Sequence, residues 1–177
     1  RRFDSGFSLH FYKIFMNDLE AIFFDFDGVL TDNKVYLSED GKEMVACNRS
    51  DGLAFDAINR SKIKPFIISS EKNIVVTKRA QKLNVPVIGP TMNKVGALKE
   101  ISKKEGIDLS KSLYVGNDLN DYFALQVCGL SACPSDAHNL IKEKCTFELK
   151  SKGGAGVVME IVEEIIKLDI LGFFKPE

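Results

Sequence analysis

Asp25-Phe26-Asp27-Gly28 follows the apolar run Ala21-Ile22-Phe23-Phe24, so two carboxylates one residue apart leave the end of a strand-like segment. Side chains at i and i+2 of a strand point the same way, which predicts that Asp25 and Asp27 converge on one site. A pair of this kind binds a cation, divides nucleophile and acid–base roles, or does both. A polar strand exit with both carboxylates solvated is the plainer use of the same residues.

Three further groups carry potential chemistry. Ser69-Ser70-Glu71 follows the apolar Pro65-Phe66-Ile67-Ile68; a serine there either caps the next helix or donates its hydroxyl to an anionic oxygen. Lys94 opens a helical pattern, where a cation opposes the helix dipole, a misfit that suits a functional lysine as well as a solvated one. Gly116-Asn117-Asp118-Leu119-Asn120-Asp121 places several oxygen-bearing side chains in a few positions. That set suits a hard cation such as magnesium, or a turn with an N-cap.

The elements that must position these groups alternate along the chain. Strands are expected at Ala21–Phe24, Lys64–Ser69, Val85–Ile88, Ser112–Val115 and Leu130–Cys133. Helices are expected at Gly52–Ser61, Lys72–Leu83, Lys94–Glu105, Asn120–Val127, Ala137–Glu143 and about Gly156–Leu168. Continuous apolar strands separated by helices predict an α/β fold, a Rossmann-like doubly wound parallel sheet covered on both faces. Residues 35–46 break the pattern as a β-hairpin turning at Asp40-Gly41, inserted after the first strand. In such sheets ligands bind beyond the carboxyl ends of the strands, which is where all four groups fall. Neither the interval from Asp25 to Ser69 nor that from Ser69 to Lys94 can hold a cap domain of about 50 residues or more.

The 177 residues suit one domain, with 24 basic and 25 acidic side chains and a net charge of −1. That balance argues against nucleic acid or an anionic membrane as the main partner. Cys47, Cys128, Cys133 and Cys145 show no CxxC spacing and lie near no histidine cluster, so they read as small buried residues in a reducing compartment. Zinc is disfavoured on that spacing, and the cytoplasm is the expected location. The aromatic-rich start is interrupted by Asp4, His10 and Lys13, unlike a signal peptide. Residues 1–16 are expected to be an appended or upstream tail, or a joint in a longer polypeptide, with 17–177 forming the single domain.

Taken in order, Asp25-Phe26-Asp27-Gly28-Val29-Leu30-Thr31-Asp32, the Ser69 strand end, Lys94 and the loop 116–121 resemble the four motifs of the haloacid dehalogenase-like hydrolases, over about residues 19–168. The early hairpin, Asn48-Arg49-Ser50-Asp51-Gly52 and Lys152-Gly153-Gly154-Ala155-Gly156 are similar to its capless sugar-acid phosphatases. Those act on octulosonate 8-phosphate or nine-carbon ulosonate 9-phosphates in lipopolysaccharide or sialic acid biosynthesis. Domains associated with acylneuraminate cytidylyltransferases are similar as well.

The resemblance implies a Mg²⁺-dependent phosphatase working through an aspartyl-phosphate. Asp25 would be the nucleophile and Asp27 the general acid and base. Ser69, Ser70 and Lys94 would hold the phosphoryl group. The metal would lie among Asp25, Asp27, Asn117, Asp118 and Asp121. Glu71, Arg79, Lys82 and Asp51 would face the sugar acid, the first three on roughly one helical face that could equally be solvated. Glu71, where the octulosonate enzymes tend to have arginine, favours a nine-carbon substrate. A homotetramer with clustered hairpins is implied, with the apolar stretch Leu168–Phe174 a further candidate contact.

Two departures stand out from the family pattern. Asn117 replaces the usual aspartate and removes one charge from the metal site, and Met159 replaces a frequent arginine. They keep open the alternative of a weakly active or non-catalytic oligomerisation domain.

Overall fold

The apolar runs of the sequence pair as the buried strands of one parallel sheet in the computed structural model, which describes residues 18–174. β1 (Ala21–Asp25) lies at its centre. The hairpin strands are β2 (Tyr36–Leu37) and β3 (Glu43–Met44), and the remaining sheet strands are β4 (Lys64–Ile68), β5 (Val87–Ile88), β6 (Ser112–Val115), β7 (Leu130–Cys133) and β8 (Phe147–Glu148). The sheet order is β5-β4-β1-β6-β7-β8 and every pairing is parallel. β1 is buried along its whole length.

Alternation along β1 feeds two cores. Ile22 and Phe24 join Ile67, Leu113 and Val115 on one face, under α1 (Ser50–Arg60), α2 (Ile74–Leu83) and α5 (Val157–Glu160). Ala21 and Phe23 join Phe66, Ile68 and Tyr114 on the other, under α3 (Lys94–Glu105) and α4 (Asn139–Lys142). Asp25 continues the second series. Asn73 and Asn93 cap α2 and α3 by accepting the amides of Val75 and Gly96. Left-handed Asn84 and Gly106 end the same two helices.

Three expectations are corrected. β1 ends at Asp25, so Asp27 is placed by a loop and not by strand alternation: the amides of Val29, Leu30 and Thr31 all donate to the Phe26 carbonyl. Residues 120–127 are no α-helix but a 3₁₀ turn, Leu119–Asp121, followed by further turns. There the backbone bonds mostly three residues back, Tyr122 N to Leu119 O, Gln126 N to Phe123 O and Val127 N to Ala124 O. The last helix changes pitch, with α5 running into a π-helical turn, Ile161–Ile165, before Lys167 turns left-handed. The two-residue strand β8 is an element the sequence did not suggest. The expected tail 1–16 lies outside the described residues.

Between β1 and β4 the chain adds only the hairpin and α1. Val35, Tyr36, Leu37 and Met44 are all more than half exposed on this two-stranded ribbon. Leu168 and Ile170, offered above as contact residues, pack instead against the chain's own core.

The two ends of the domain are tied by a side chain. Asp51 in α1 is 1% exposed, and its Oδ1 accepts the amides of Val158 (3.1 Å) and Met159 (3.4 Å) at the start of α5. Its Oδ2 is buried without a hydrogen bond. Burial pushes this carboxyl from 3.8 to about 6, against the pull of those amides and Arg79. A carboxyl with a raised native pKa binds its proton more tightly folded than unfolded, so stability falls as pH rises from about 4 through about 6. Asp51→Asn keeps the cap acceptor and removes this penalty. Its stability relative to the unsubstituted protein should rise by about 2 kcal/mol between pH 4 and pH 7 in urea titrations. Parallel pH profiles would show that Asp51 does not titrate in this way.

Candidate active site

β1, β4 and β6 deliver their polar ends to one edge of the sheet. The chain winds outward from β1 through β4 to β5 and then returns to the other side of β1 for β6, β7 and β8. The crevice between β1 and β6 is therefore the topological switch point, where open α/β sheets bind ligands. A cavity of about 360 Å³ opens there, lined by Asp25, Asp27, Ser69, Ser70, Glu71 and Asn117, with Asn33, Asp118, Leu119 and Asn120 at its margin. A second recess of about 220 Å³ shares Asp27, Asn33 and Glu71 and runs toward Val35, Glu43 and Val45 of the hairpin region.

Behind the cavity lies a buried cation. Lys94 Nζ is 2.8 Å from Asp25 Oδ1 and 2.6 Å from Asp121 Oδ1, and Lys94 is only 2% exposed. Tyr114 Oη donates to the same Asp121 oxygen at 2.7 Å. Asp121 Oδ2 accepts the amides of Asn117 (2.9 Å) and Asp118 (3.3 Å). One lysine thus serves two carboxylates. Burial lowers the Lys94 pKa, but Asp25 and Asp121 together raise it further, so it stays protonated. Burial and the charge of Asp121 raise Asp25 more strongly than Lys94 lowers it. Burial, Asp121 and Asp25 keep the Tyr114 phenol protonated.

Asp25 is held by one oxygen. Its Oδ1 accepts the Phe26 amide at 2.8 Å as well as Lys94, which leaves Oδ2 for the cavity. Asp27 is half-buried and oriented by Thr31, whose Oγ1 donates to Asp27 Oδ1 at 3.4 Å and accepts the amides of Gly28 and Asn33. Burial and then Glu71 raise the Asp27 pKa, which favours its protonated form. This difference in setting equips two neighbouring carboxylates for different work.

The donor set fits a hard divalent cation. Asp25, Asp27, Glu71 and Asp118 line the cavity, and among the described residues no lysine or arginine lies on its wall. An anionic ligand would meet net negative charge unless a cation entered with it. Asn117 Oδ1 is buried without a hydrogen-bond partner, an acceptor in need of a donor or a metal. Its Nδ2 packs so closely on Gly28 (φ +77°) that a Cβ there would come within 2.0 Å. Asp25, the Asp27 carbonyl and Asn117 could hold magnesium, which keeps several waters of its own. Among the described residues no three His, Cys, Asp or Glu side chains gather as a metal cluster, unlike a dedicated protein cage. Ser70 Oγ, also on the wall, is a second buried orphan and can donate to an anionic oxygen.

The structure separates the expected residues into three groups. Asp25, Asp27, Ser69, Ser70, Glu71, Asn117 and Asp118 share the cavity. Ser69 Oγ accepts the Glu71 amide at 3.0 Å and caps no helix. Lys94 and Asp121 lie behind that wall, and both Asp121 oxygens are occupied by Lys94, Tyr114 and two amides. Asp51, Arg79 and Lys82 are on neither cavity wall. Asp51 caps α5, Arg79 donates to the Asn48 carbonyl at 2.7 Å, and exposed Lys82 lies about 12 Å along α2 from its start. Sequence reasoning missed Thr31, Asn33 and Tyr114. Thr31 stood in view within the first motif. Tyr114 looked like any core aromatic.

The C-terminal glycines complete the frame. A Cβ on Gly153 would lie 2.3 Å from the Gly28 carbonyl oxygen, and one on Gly154 would lie 2.6 Å from Asp32 N. The Gly154 amide donates to Val29 O, and that of Gly153 to Asp136 Oδ1. Only glycine lets this segment press so closely on the loop that carries Asp27.

A family model for haloacid dehalogenase-like hydrolases matches residues 53–161, and the chain belongs to that family. It is a phosphatase of that family, similar to the 3-deoxy-D-manno-octulosonate 8-phosphate phosphatase KdsC of Salmonella typhimurium (strain LT2), with 30% identity over 150 residues, 84% of this chain and 80% of that protein. Among solved structures it is similar to 3-deoxy-D-manno-octulosonate 8-phosphate phosphatase from Moraxella catarrhalis in complex with a magnesium ion, a phosphate ion and a KDO molecule. That match has a TM-score of 0.86 and 28% identity, over 93% of this chain and 96% of the other. A hydrolase of the same family from Streptomyces avermitilis matches with a TM-score of 0.84 and 35% identity, over 88% and 89% of the two chains.

Removing the buried cation tests the cluster. Lys94→Met leaves Asp25 and Asp121 buried and uncompensated, with an expected loss of about 3–5 kcal/mol. Adding Asp121→Asn to that variant should recover part of the loss in urea denaturation. A single variant as stable as the unsubstituted protein would show that the lysine does not compensate two buried charges.

Proposed function

We propose that the protein is a Mg²⁺-dependent phosphatase of a 2-keto-3-deoxy sugar acid phosphate, working through an aspartyl-phosphate on Asp25. The carrying observation is the arrangement of one cavity: Asp25 Oδ1 is pinned by Lys94 and the Phe26 amide, while Asp27 and the orphaned Ser70 Oγ and Asn117 Oδ1 belong to the same enclosure. Asp25 Oδ2 attacks phosphorus and the ester oxygen departs. Asp27, whose surroundings favour its protonated form, gives that oxygen its proton. It then takes a proton from the water that hydrolyses the acyl phosphate, which frees Asp25. Ser69 and Ser70 hydroxyls and the loop amides hold the phosphoryl oxygens. Asp25, the Asp27 carbonyl and Asn117 would hold magnesium, which would offset the charge between carboxylate and phosphate.

The similar proteins from Salmonella and Moraxella support an eight-carbon octulosonate 8-phosphate. Glu71 on the wall of both recesses supports a nine-carbon ulosonate 9-phosphate as the second reading, because a carboxylate there accepts hydroxyl or amide donors of a longer chain. The exposed apolar residues of the hairpin support a homotetramer built on it, and the free cysteines support a reducing compartment, the cytoplasm.

Phosphate release from eight- and nine-carbon substrates, compared by kcat/KM with and without Mg²⁺, tests the reading. Asp25→Asn should lower release by at least about 10³-fold, and Asp27→Asn by about 10²–10⁴-fold. Asn117→Asp should lower the Mg²⁺ concentration needed for half-maximal rate, since it adds a charge to the shell. No Mg²⁺-dependent release from either substrate class would refute the proposal. For the assembly, Leu37→Asp combined with Met44→Lys should shift the mass seen by light scattering toward the monomer; an unchanged mass would place the contact elsewhere.

A further inference from the structure

Cys133 and Cys145 meet on the side of the sheet away from the hairpin. Cys133 ends β7 and is fully buried, while Cys145 follows α4 and is half-buried. Their sulfurs are 3.0 Å apart, about 1 Å beyond a disulfide bond. Cys145 Sγ also lies 3.3 Å from the Phe147 carbonyl oxygen and 3.6 Å from that of Lys142. Two thiols in such contact, one of them reachable from solvent, form a resolving pair.

We propose that Cys133 and Cys145 are a modification site, forming an intramolecular disulfide when the folded protein meets hydrogen peroxide. The Cys145 thiolate attacks the peroxide oxygen, the O–O bond breaks, and a sulfenic acid forms on Cys145 with release of hydroxide. Buried Cys133 then attacks that sulfur: the S–S bond forms, the S–O bond breaks, and the departing hydroxide takes the Cys133 proton as water. Two thiols are oxidised and one peroxide is reduced to two waters. A thiol reductant reverses the bond by exchange.

The order of attack follows from the surroundings. The thiol–thiol contact lowers the Cys145 pKa and, with burial, raises that of Cys133. Burial pushes Cys47 up and Cys128 up to about 12, so neither competes as a thiolate.

The bond would close the segment 134–144, which carries two supports of the active site. Asp136 Oδ1 accepts the Gly153 amide, and the His138 amide donates to the Asn117 carbonyl oxygen at 2.8 Å. Oxidation therefore tightens the segment behind the Asn117 loop without touching the cavity.

The test is peroxide treatment of the intact protein, followed by peptide mapping and thermal melting with and without a thiol reductant. The expected result is a Cys133–Cys145 cross-linked peptide lacking two hydrogens, with Cys47 and Cys128 still free, and a Tm higher by roughly 5 °C or more that the reductant reverses. Cys145→Ser should abolish both the cross-link and the shift, and Cys133→Ser should instead leave sulfenic or sulfinic acid on Cys145. Further oxidation of Cys145 without a cross-link in the unsubstituted protein, disulfides between molecules, or no reaction at all would each overturn the proposal.

Discussion

The site depends on a lysine kept out of water between two carboxylates. Lys94 is tolerable in the interior only because Asp25 and Asp121 flank it, and Asp121 only because Lys94, Tyr114 and two loop amides surround it. A buried ion pair is weak evidence for stability in itself. Its effect here is positional: one network joins the end of β1, the first turn of α3 and the loop after β6. Asp25 is thereby fixed at one oxygen and left open at the other.

The same network leaves the front of the site electrically incomplete. Two carboxylates share one lysine behind the wall, and the wall itself carries Asp25, Asp27, Glu71 and Asp118 with no basic side chain among the described residues. Asn117 limits this excess, because its amide offers an oxygen without another charge. The substitution that weakens the attraction for a cation also lessens the repulsion among its neighbours.

Much of this was legible in the sequence, for identifiable reasons. Strands buried on both faces must be continuous apolar runs, so β1, β4, β6 and β7 stood out, and polar residues at their ends marked the edge where ligands bind. Asp25, Asp27, Ser69 and Asn117 were found in that way. Asp121 was harder to place, since an aspartate after a loop serves equally as a metal ligand, a cap or a partner for a distant lysine. Only the fold brings Lys94 to it. Asp51 was beyond local reading altogether, because the amide it caps lies 107 residues further along the chain. The expected helix at 120–127 followed an apolar pattern, but the backbone there closes mostly three-residue turns, which an apolar pattern does not distinguish from an α-helix. Two-residue β8 is too short to leave a pattern.

The contact of Gly153 and Gly154 with the loop after β1 has a consequence for biosynthesis. The residues that hold Asp27 in place are supported by a segment made about 120 residues later, at the ribosome's pace several seconds afterward. β1 must also wait for β6 before both its edges are paired. A nascent chain therefore carries Asp25 and Asp27 without the frame that aims them until the segment 153–154 has been made and has folded back onto that loop.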